Sequence, residues 1–317
     1  MATASASEPI SHLFPNGGWD THHHIYEPAR FPYSPERHLT PPAATLEQFL
    51  AFRRRLGLSH SVLTHSLSYG DDCASLRAFL PALNPGSAPR GVGVIDPRAA
   101  SDAELRALHD AGVRGVRIDL YRRGAMEDAG RQRRAIAEHA ARLERLGLGW
   151  SLALTTTRAE LWAELAPLVA ATAARGRGTR LVTDHFALLR AASMLPPPYR
   201  DDPARQPGFA AVLGLVRDGH LWVKLSAPYR VSEDGPGYAD VEFLVRAFFD
   251  ANRHRVVWGS DWPHTPRMRL RSREEALEET PFLEVDDLAW LNSLRSWLSD
   301  EEWHLLMVEN PKALFSC

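Results

Sequence analysis

The residues of this chain best suited to chemistry lie near its start, in the stretch Trp19-Asp20-Thr21-His22-His23-His24. If this stretch is a strand, alternate side chains point to the same side, so His22 and His24 project together with Asp20 behind them. Two imidazoles on one face suit a divalent metal, or a substrate carbonyl that needs polarisation. Adjacent histidines also occur in polar surface runs. The secondary structure around them is therefore needed to distinguish a functional site from a surface run.

Composition limits the classes of function. The chain has 317 residues and a formal net charge of −2, which suffices for one large domain or two ordinary ones. The balanced charge predicts neither nucleic acid nor a membrane as a partner, and no apolar run is long enough to span a bilayer. The two cysteines, Cys73 and Cys317, have no metal-type spacing and indicate a reducing, cytoplasmic compartment.

The predicted organisation is a disordered tail over residues 1–15, without the apolar core of a signal peptide, followed by one domain over 16–317. Within that domain, short apolar segments alternate with amphipathic helical patterns. Strands are predicted at 19–24, 61–65, 91–95, 115–120, 149–154, 180–185, 221–226 and 255–261. Helices are predicted at 45–56, 74–83, 101–111, 130–146, 158–174, 209–218 and 239–252, with two more within 286–315.

Short apolar strands between amphipathic helices predict a parallel sheet that is covered on both faces. Eight such units favour an α/β fold of the (β/α)8 TIM-like barrel type, with additional C-terminal helices, over a doubly wound sheet. No G-x-G-x-x-G follows the first strand, which argues against a dinucleotide-binding fold. A long irregular stretch, Ser193 to Pro207, follows the sixth strand and is predicted to form a lid or wall at the barrel mouth.

In such barrels, the active site is built from the C-terminal ends of the strands and the loops that follow. Taken singly, His185 could be a core histidine, Asp261 could cap a helix and Arg117 could pair with Asp119. Lys224 in a strand centre needs a partner if it is buried. Their convergence on one rim predicts a single site. The candidates at the strand ends are His22, His24, Arg117, Arg122, Arg123, Asp184, His185, Lys224, Tyr229, Arg230, Ser260, Asp261 and His264.

Six motifs resemble those of the amidohydrolase superfamily, and most closely the branch that holds 2-pyrone-4,6-dicarboxylate lactonases and sugar lactonases. The motifs are W-D-T-H-H-H (19–24), F-P-Y-S-P-E-R (31–37), G-V-R-I-D-L (115–120), L-V-T-D-H (181–185), L-W-V-K-L-S (221–226) and W-G-S-D-W-P-H (258–264). They extend over nearly the whole predicted barrel. The combination of H-x-H with W-G-S-D-W-P is specific.

The resemblance implies a mechanism. Asp261 matches the aspartate that acts as general base on a water. The implied catalytic residues are His22, His24, His185 and Asp261. In metal-using members these four hold a divalent ion such as Zn²⁺, whereas in the pyrone lactonases the histidines polarise the carbonyl without a metal. Arg117, Arg123 and Arg230 match positions that clamp substrate carboxylates. In the loops after strands seven and eight, Tyr229 and His264 are predicted to bind substrate as well.

The chain departs from the pyrone lactonases where that branch reads carboxylates. Leu39, Leu154-Thr155 and Leu188 stand at those positions. We therefore expect the chemistry to be retained on a larger or less charged lactone, such as one with an aromatic part. The leucines would line an apolar wall of the pocket.

Three functions are compatible with these residues. The first is a hydrolase that opens a lactone or related cyclic ester of a carboxylated or aromatic small molecule. The second is a metal-dependent non-oxidative decarboxylase of an aromatic or unsaturated acid, although such relatives carry a further histidine near the place of Lys224. The third is a non-catalytic binding protein, against which the retention of His22, His24 and Asp261 argues. The sequence does not decide whether a metal is bound or whether the protein forms a homo-oligomer.

Overall fold

A computed structural model describes residues 13–83 and 88–315 and shows a barrel of eight parallel strands in sequential order. Within those residues the strands are β1 (Trp19–His23), β2 (His60–Thr64), β3 (Gly91–Val94), β4 (Val113–Arg117), β5 (Ser151–Ala153), β6 (Arg180–Thr183), β7 (Trp222–Leu225) and β8 (Val256–Trp258). Their side chains are almost all buried, as expected of strands with helices outside and a packed interior inside. The predicted TIM-like barrel is confirmed.

Helices follow the strands and cover the outside of the barrel. Within the same residues they are α1 (Leu46–Leu56), α2 (Ala74–Leu83), α3 (Asp102–Asp110), α4 (Ala129–Leu146), α5 (Trp162–Ala174), α6 (Pro197–Arg200), α7 (Phe209–Arg217), α8 (Glu242–Asn252), α9 (Arg273–Leu277), α10 (Asp287–Ser296), α11 (Asp300–His304) and α12 (Asn310–Phe315). Local sequence sets their ends: Thr45 and Ser101 form capping boxes, and Gly57 ends α1 in the left-handed region. None of these described helices combines the length and the apolarity that a bilayer crossing requires.

The first and last strands are joined partly through a side chain. Asp20 Oδ1 accepts a hydrogen bond from the Ser260 backbone N–H at 3.0 Å, and Asp20 Oδ2 accepts one from Ser260 Oγ at 2.6 Å. Beyond it, the Asp261 backbone N–H donates to the His22 carbonyl at 2.7 Å. Asp20 therefore holds β1 to the segment after β8, which fixes the two ends that carry His22 and Asp261.

The described chain begins inside the predicted tail. Residues 1–12 of that tail lie outside the described residues, but Leu13 and Phe14 are buried. The Phe14 ring centroid lies 5.4 Å from that of Trp258, and Trp303 Nε1 donates to the Leu13 carbonyl at 2.8 Å. The prediction of disorder is therefore wrong for these two residues, because their apolar side chains reach the core beneath the C-terminal helices.

Candidate active site

Three histidines surround one carboxylate oxygen of Asp261 at the C-terminal rim of the barrel. His22 and His24 come from the end of β1, and His185 follows β6. Their Nε2 atoms lie 3.4, 3.6 and 4.0 Å from Asp261 Oδ1, respectively. All four side chains are buried. The structure thus brings together the residues that the sequence analysis identified as catalytic.

Two of the imidazoles are oriented through their other ring nitrogen. His24 Nδ1 donates to the Thr64 carbonyl at 2.7 Å, which directs His24 Nε2 toward Asp261. His185 Nδ1 lies 2.9 Å from Ser226 Oγ. Such partners fix the ring and its tautomer, as they do for metal-binding histidines in general.

His22 has a charged pair behind it. Its Nδ1 lies 3.2 Å from Asp184 Oδ1 and 3.3 Å from Lys224 Nζ. The ammonium of Lys224 is 3.2 Å from the same Asp184 oxygen, and Thr155 Oγ1 donates to Asp184 Oδ2 at 2.8 Å. Burial works to raise the pKa of Asp184, but Lys224 and His22 outweigh it and hold that pKa well below its usual range. The buried lysine therefore has the anionic partner that it requires.

The second oxygen of Asp261 is fully engaged. Tyr229 donates its hydroxyl to Asp261 Oδ2 at 2.5 Å, and Arg230 donates to the same atom at 2.8 Å. Arg230 Nε also donates to Asp261 Oδ2 at 3.3 Å, and the other guanidinium hydrogen bonds go to Thr265 and to the Pro266 carbonyl. Burial works to raise the pKa of Asp261, but Arg230 and the histidines hold it well below its usual range. Asp261 therefore stays ionised, with Oδ1 turned to the imidazoles.

The donor set fits a divalent cation. Burial lowers the pKa of His22 to about 4 and that of His185 well below its usual value, so both rings are neutral. Among the described residues, neither His22 Nε2 nor Asp261 Oδ1 has a hydrogen-bond partner. Ligand atoms of His22, His24 and Asp261 all lie within 4.8 Å of one another. Lone pairs that face one another in this way repel unless a cation or a proton lies between them, and imidazoles with a carboxylate suit Zn²⁺.

A narrow cavity opens onto this cluster. Arg117 is buried in its wall, and the Nε of Arg117 has no hydrogen-bond partner among the described residues. Leu39 adds an apolar part of the wall. The residues that line the cavity are His24, Tyr26, His38, Leu39, Ser66, Leu67, Ser68, Arg117, His185, Arg230, Asp261, Thr265 and Met268. A buried guanidinium without a full set of partners is suited to an anionic group of a ligand.

A family model described as amidohydrolase matches residues 19–316. This chain belongs to the amidohydrolase family. Among curated proteins, it is 31% identical over 316 residues to 4-sulfomuconolactone hydrolase of Rhizobium radiobacter, which covers 98% of this chain and 93% of that protein. It is 33% identical over 291 residues to 2-pyrone-4,6-dicarboxylate hydrolase of Comamonas testosteroni, a match that covers 86% of this chain and 85% of that protein. A ligand-free crystal structure from Agrobacterium tumefaciens matches with a TM-score of 0.71 at 26% identity, covering 96% and 97% of the two chains.

In this amidohydrolase, three predicted substrate-binding residues do not line the cavity. The Arg123 guanidinium is 3.2 Å from Glu138 of α4 and a quarter exposed, because the turn after β4 directs it toward that helix. His264 Nε2 is 3.2 Å from Asp287, at the start of α10. Neither Arg123 nor His264 lines the cavity. Tyr229 is also absent from the cavity wall and contacts Asp261 instead.

The predicted lid and apolar wall are also revised by the structure. The stretch from Ser193 to Pro207 forms α6 and short turns, and Leu195, Pro196 and Pro207 line a separate groove rather than the cavity over Asp261. Of the leucines expected in the pocket wall, Leu39 lies there, whereas Leu154 and Leu188 do not. The position of a loop on a barrel predicts which rim it leaves from, but not the direction in which it folds back.

The sequence analysis missed several cavity residues. They lie in the loops after β1, β2 and β8. In a loop, the direction of a side chain cannot be predicted from the alternation that holds along a strand. The missed residues are Tyr26, His38, Ser66, Leu67, Ser68, Thr265 and Met268. The only available signal was the unusual density of aromatic and proline residues in the loop that contains Tyr26 and His38.

Proposed function

We propose that this amidohydrolase hydrolyses a lactone or a related cyclic ester of a small organic acid. Two relatives that match most of the chain at 31% and 33% identity are hydrolases, one of a sulfomuconolactone and one of a pyrone dicarboxylate. The observation that carries the proposal is the environment of Asp261 Oδ1. It is a buried, ionised oxygen without a hydrogen-bond donor among the described residues, and three imidazoles face it.

Asp261 supplies the base. Because Tyr229 and Arg230 occupy Oδ2, the oxygen that accepts a proton from water is Oδ1. The oxygen of that water forms a bond to the carbonyl carbon, and the bond from this carbon to the ring oxygen breaks. The proton held by Asp261 then passes to the departing ring oxygen. The product is an open-chain hydroxy acid, and the carboxylate of Asp261 is regenerated.

The histidines lie next to Asp261 Oδ1 and are proposed to polarise the carbonyl. His22, His24 and Asp261 would hold a divalent ion, with His185 next to them. When bound, such an ion polarises the carbonyl and makes water more acidic. The chain's own contribution is to hold the rings in a fixed orientation, which the Thr64 contact enforces for His24 and the Ser226 contact for His185.

Arg117 is proposed to bind an acidic group of the substrate. Its guanidinium is buried in the cavity wall, whereas Arg230 is committed to Asp261. A carboxylate or sulfonate on the lactone would complete the hydrogen bonding of Arg117 and orient the ring. Leu39, on the same wall, suits an apolar part of the molecule.

The test is turnover of defined lactones by the purified full-length chain. We expect loss of ring absorbance with 4-sulfomuconolactone or 2-pyrone-4,6-dicarboxylate, and a decrease in kcat of about 10²–10⁴-fold in Asp261→Asn. Asp250→Asn, an exposed change on α8, is the matched control and keeps full turnover. Full turnover by Asp261→Asn would reject its role as base. Release of carbon dioxide without ring opening would instead identify the decarboxylase.

Elemental analysis of protein purified without chelator tests whether the site binds a divalent metal ion. We expect about one divalent ion per chain, because one cluster of His and Asp ligands is proposed to bind it. Removal of the ion with chelator should abolish turnover, and addition of Zn²⁺ should restore it. Turnover that survives complete removal of metal would identify the direct route, in which the histidines polarise the carbonyl themselves.

A further inference from the structure

Behind the candidate metal ligands, three polar atoms form a triangle in which each lies within hydrogen-bond distance of the other two. His22 Nδ1 is 3.2 Å from Asp184 Oδ1 and 3.3 Å from Lys224 Nζ, and Lys224 Nζ is 3.2 Å from Asp184 Oδ1. The ammonium donates to the carboxylate whatever the state of the imidazole. The side chains of all three residues are buried, with exposures of at most 1%.

A neutral imidazole carries one proton, so only one of the two contacts of His22 Nδ1 can be a hydrogen bond at a time. With the proton on Nδ1, the ring donates to Asp184 and its Nε2 presents a lone pair toward Asp261 Oδ1. With the proton on Nε2, the ring accepts from Lys224 at Nδ1 and points an N–H toward that oxygen, 3.4 Å away. The first tautomer is a metal ligand and the second is a hydrogen-bond donor.

We propose that Lys224 and Asp184 together select the tautomer of His22, and that occupation of the site by a divalent cation decides between them. Without a cation, Lys224 stabilises the Nε2–H form, which removes the repulsion between the His22 and Asp261 lone pairs. With a cation, the proton resides on Nδ1 and bonds to Asp184, and Nε2 turns its lone pair to the ion. Lys224 is thus a positioning residue, which acts on the site only through His22 and Asp184.

The type of residue at position 224 supports this role. The chain has 37 lysines and arginines, of which only Lys224 and Lys312 are lysines. A guanidinium is planar and extended, whereas an ammonium is a compact charge with three donors. The compact ammonium of Lys224 lies within hydrogen-bond distance of both Asp184 and the edge of the His22 imidazole.

The test is a direct reading of the proton on His22. Full-length protein labelled with ¹⁵N-histidine is studied by long-range ¹H–¹⁵N correlation, and the His22 signals are assigned by their loss in His22→Gln. We expect the metal-free wild type to carry the proton on Nε2, and the Zn²⁺-loaded protein to carry it on Nδ1. In metal-free Lys224→Met, the remaining partner Asp184 should move the proton to Nδ1. Lys312→Met, which changes the other lysine, should match the wild type.

Several outcomes would overturn the proposal. They are the same His22 tautomer in the metal-free and Zn²⁺-loaded wild type, no binding of Zn²⁺, or an unchanged tautomer in folded Lys224→Met. If Lys224→Met does not fold because Asp184 is left without its cation, the two wild-type spectra still decide. The measurement needs no substrate, so its failure is distinguishable from failure of the proposed hydrolase activity.

Discussion

Arg117 ends β4 and Arg123 follows only six positions later, yet the two side chains have different surroundings. Arg117 is buried in the cavity wall, and its Nε has no described partner. Arg123 forms an ion pair with Glu138 at the surface. A buried cation contributes binding energy when a ligand supplies the missing acceptor, whereas an exposed ion pair contributes little to stability. The two arginines therefore make a matched pair for an experiment.

We expect Arg117→Met to raise KM for an acidic lactone by about 10–100-fold, since a charged hydrogen bond is worth about 1.5–3 kcal/mol. The kcat should change much less, because Arg117 is not among the groups around Asp261 Oδ1. Steady-state kinetics of Arg123→Met should resemble those of the wild type. A comparable rise of KM in Arg123→Met, or none in Arg117→Met, would contradict this assignment.

The same pair shows how far the sequence alone could predict the site. The groups that converge on Asp261 were predictable, because the ends of parallel strands in a barrel meet at one rim and His22, His185 and Asp261 are within three residues of a strand end. The direction of Arg123 was not predictable, since it depends on a turn whose course is set by contact with α4. The pairing of Lys224 with Asp184 required knowledge of which side chains face inward.

At the scale of elements, the site depends on how closely β1 approaches the segment after β8. Gly259 lies at this approach: a Cβ there would be 2.6 Å from the Cβ and 2.8 Å from the backbone nitrogen of His22. Non-bonded atoms do not approach one another this closely. The clash cannot be relieved by a rotamer change, because the backbone nitrogen of His22 is fixed in the strand. Any side chain at this position would therefore move His22 relative to Asp261.

We expect Gly259→Ala to lower the free energy of unfolding by about 1–3 kcal/mol, the usual cost of overpacking, and to lower kcat by at least tenfold. Gly214→Ala is the control, because a Cβ at this position of α7 meets only the end of Arg217 at 3.9 Å. Alanine should stabilise that helix by about 0.5–1 kcal/mol. Urea unfolding and turnover of both variants test the contrast, and wild-type kcat in Gly259→Ala would refute it.

The elements themselves were largely predictable, because the alternation of short apolar strands with amphipathic helices has few architectural solutions. Their ends were less so. The strand predicted at 255–261 ends at Trp258, and that predicted at 180–185 ends at Thr183. The residues that follow adopt other backbone angles, with φ near +60° at Asp261 and +54° at His185. Residues that leave the strand conformation in this way are common at functional sites, and local periodicity does not reveal them.

For the molecule as a whole, the number of buried histidines governs behaviour in acid. Burial lowers the pKa of His22, His65 and His139 to about 4, from an ordinary value near 6.5. Between these values the unfolded chain binds more protons at these three histidines than the folded protein does. The stabilisation is therefore fully present above pH 6.5 and is lost as the pH falls toward 4. We expect stability to decline well before Asp261 protonates, because the pKa of Asp261 lies well below its usual range.

His139 allows this effect to be measured away from the candidate active site. It is buried on α4 and donates from Nδ1 to the Ala135 carbonyl at 2.8 Å. With a pKa of about 4, it should account for about 2 kcal/mol of the stability lost between pH 7 and pH 5. Urea unfolding of metal-free His139→Leu should therefore show a loss smaller by that amount, whereas the exposed control His254→Leu should lose as much as the wild type. Equal losses in all three proteins would show that His139 does not contribute to the acid sensitivity, because protonation would then cost the folded and unfolded chains the same.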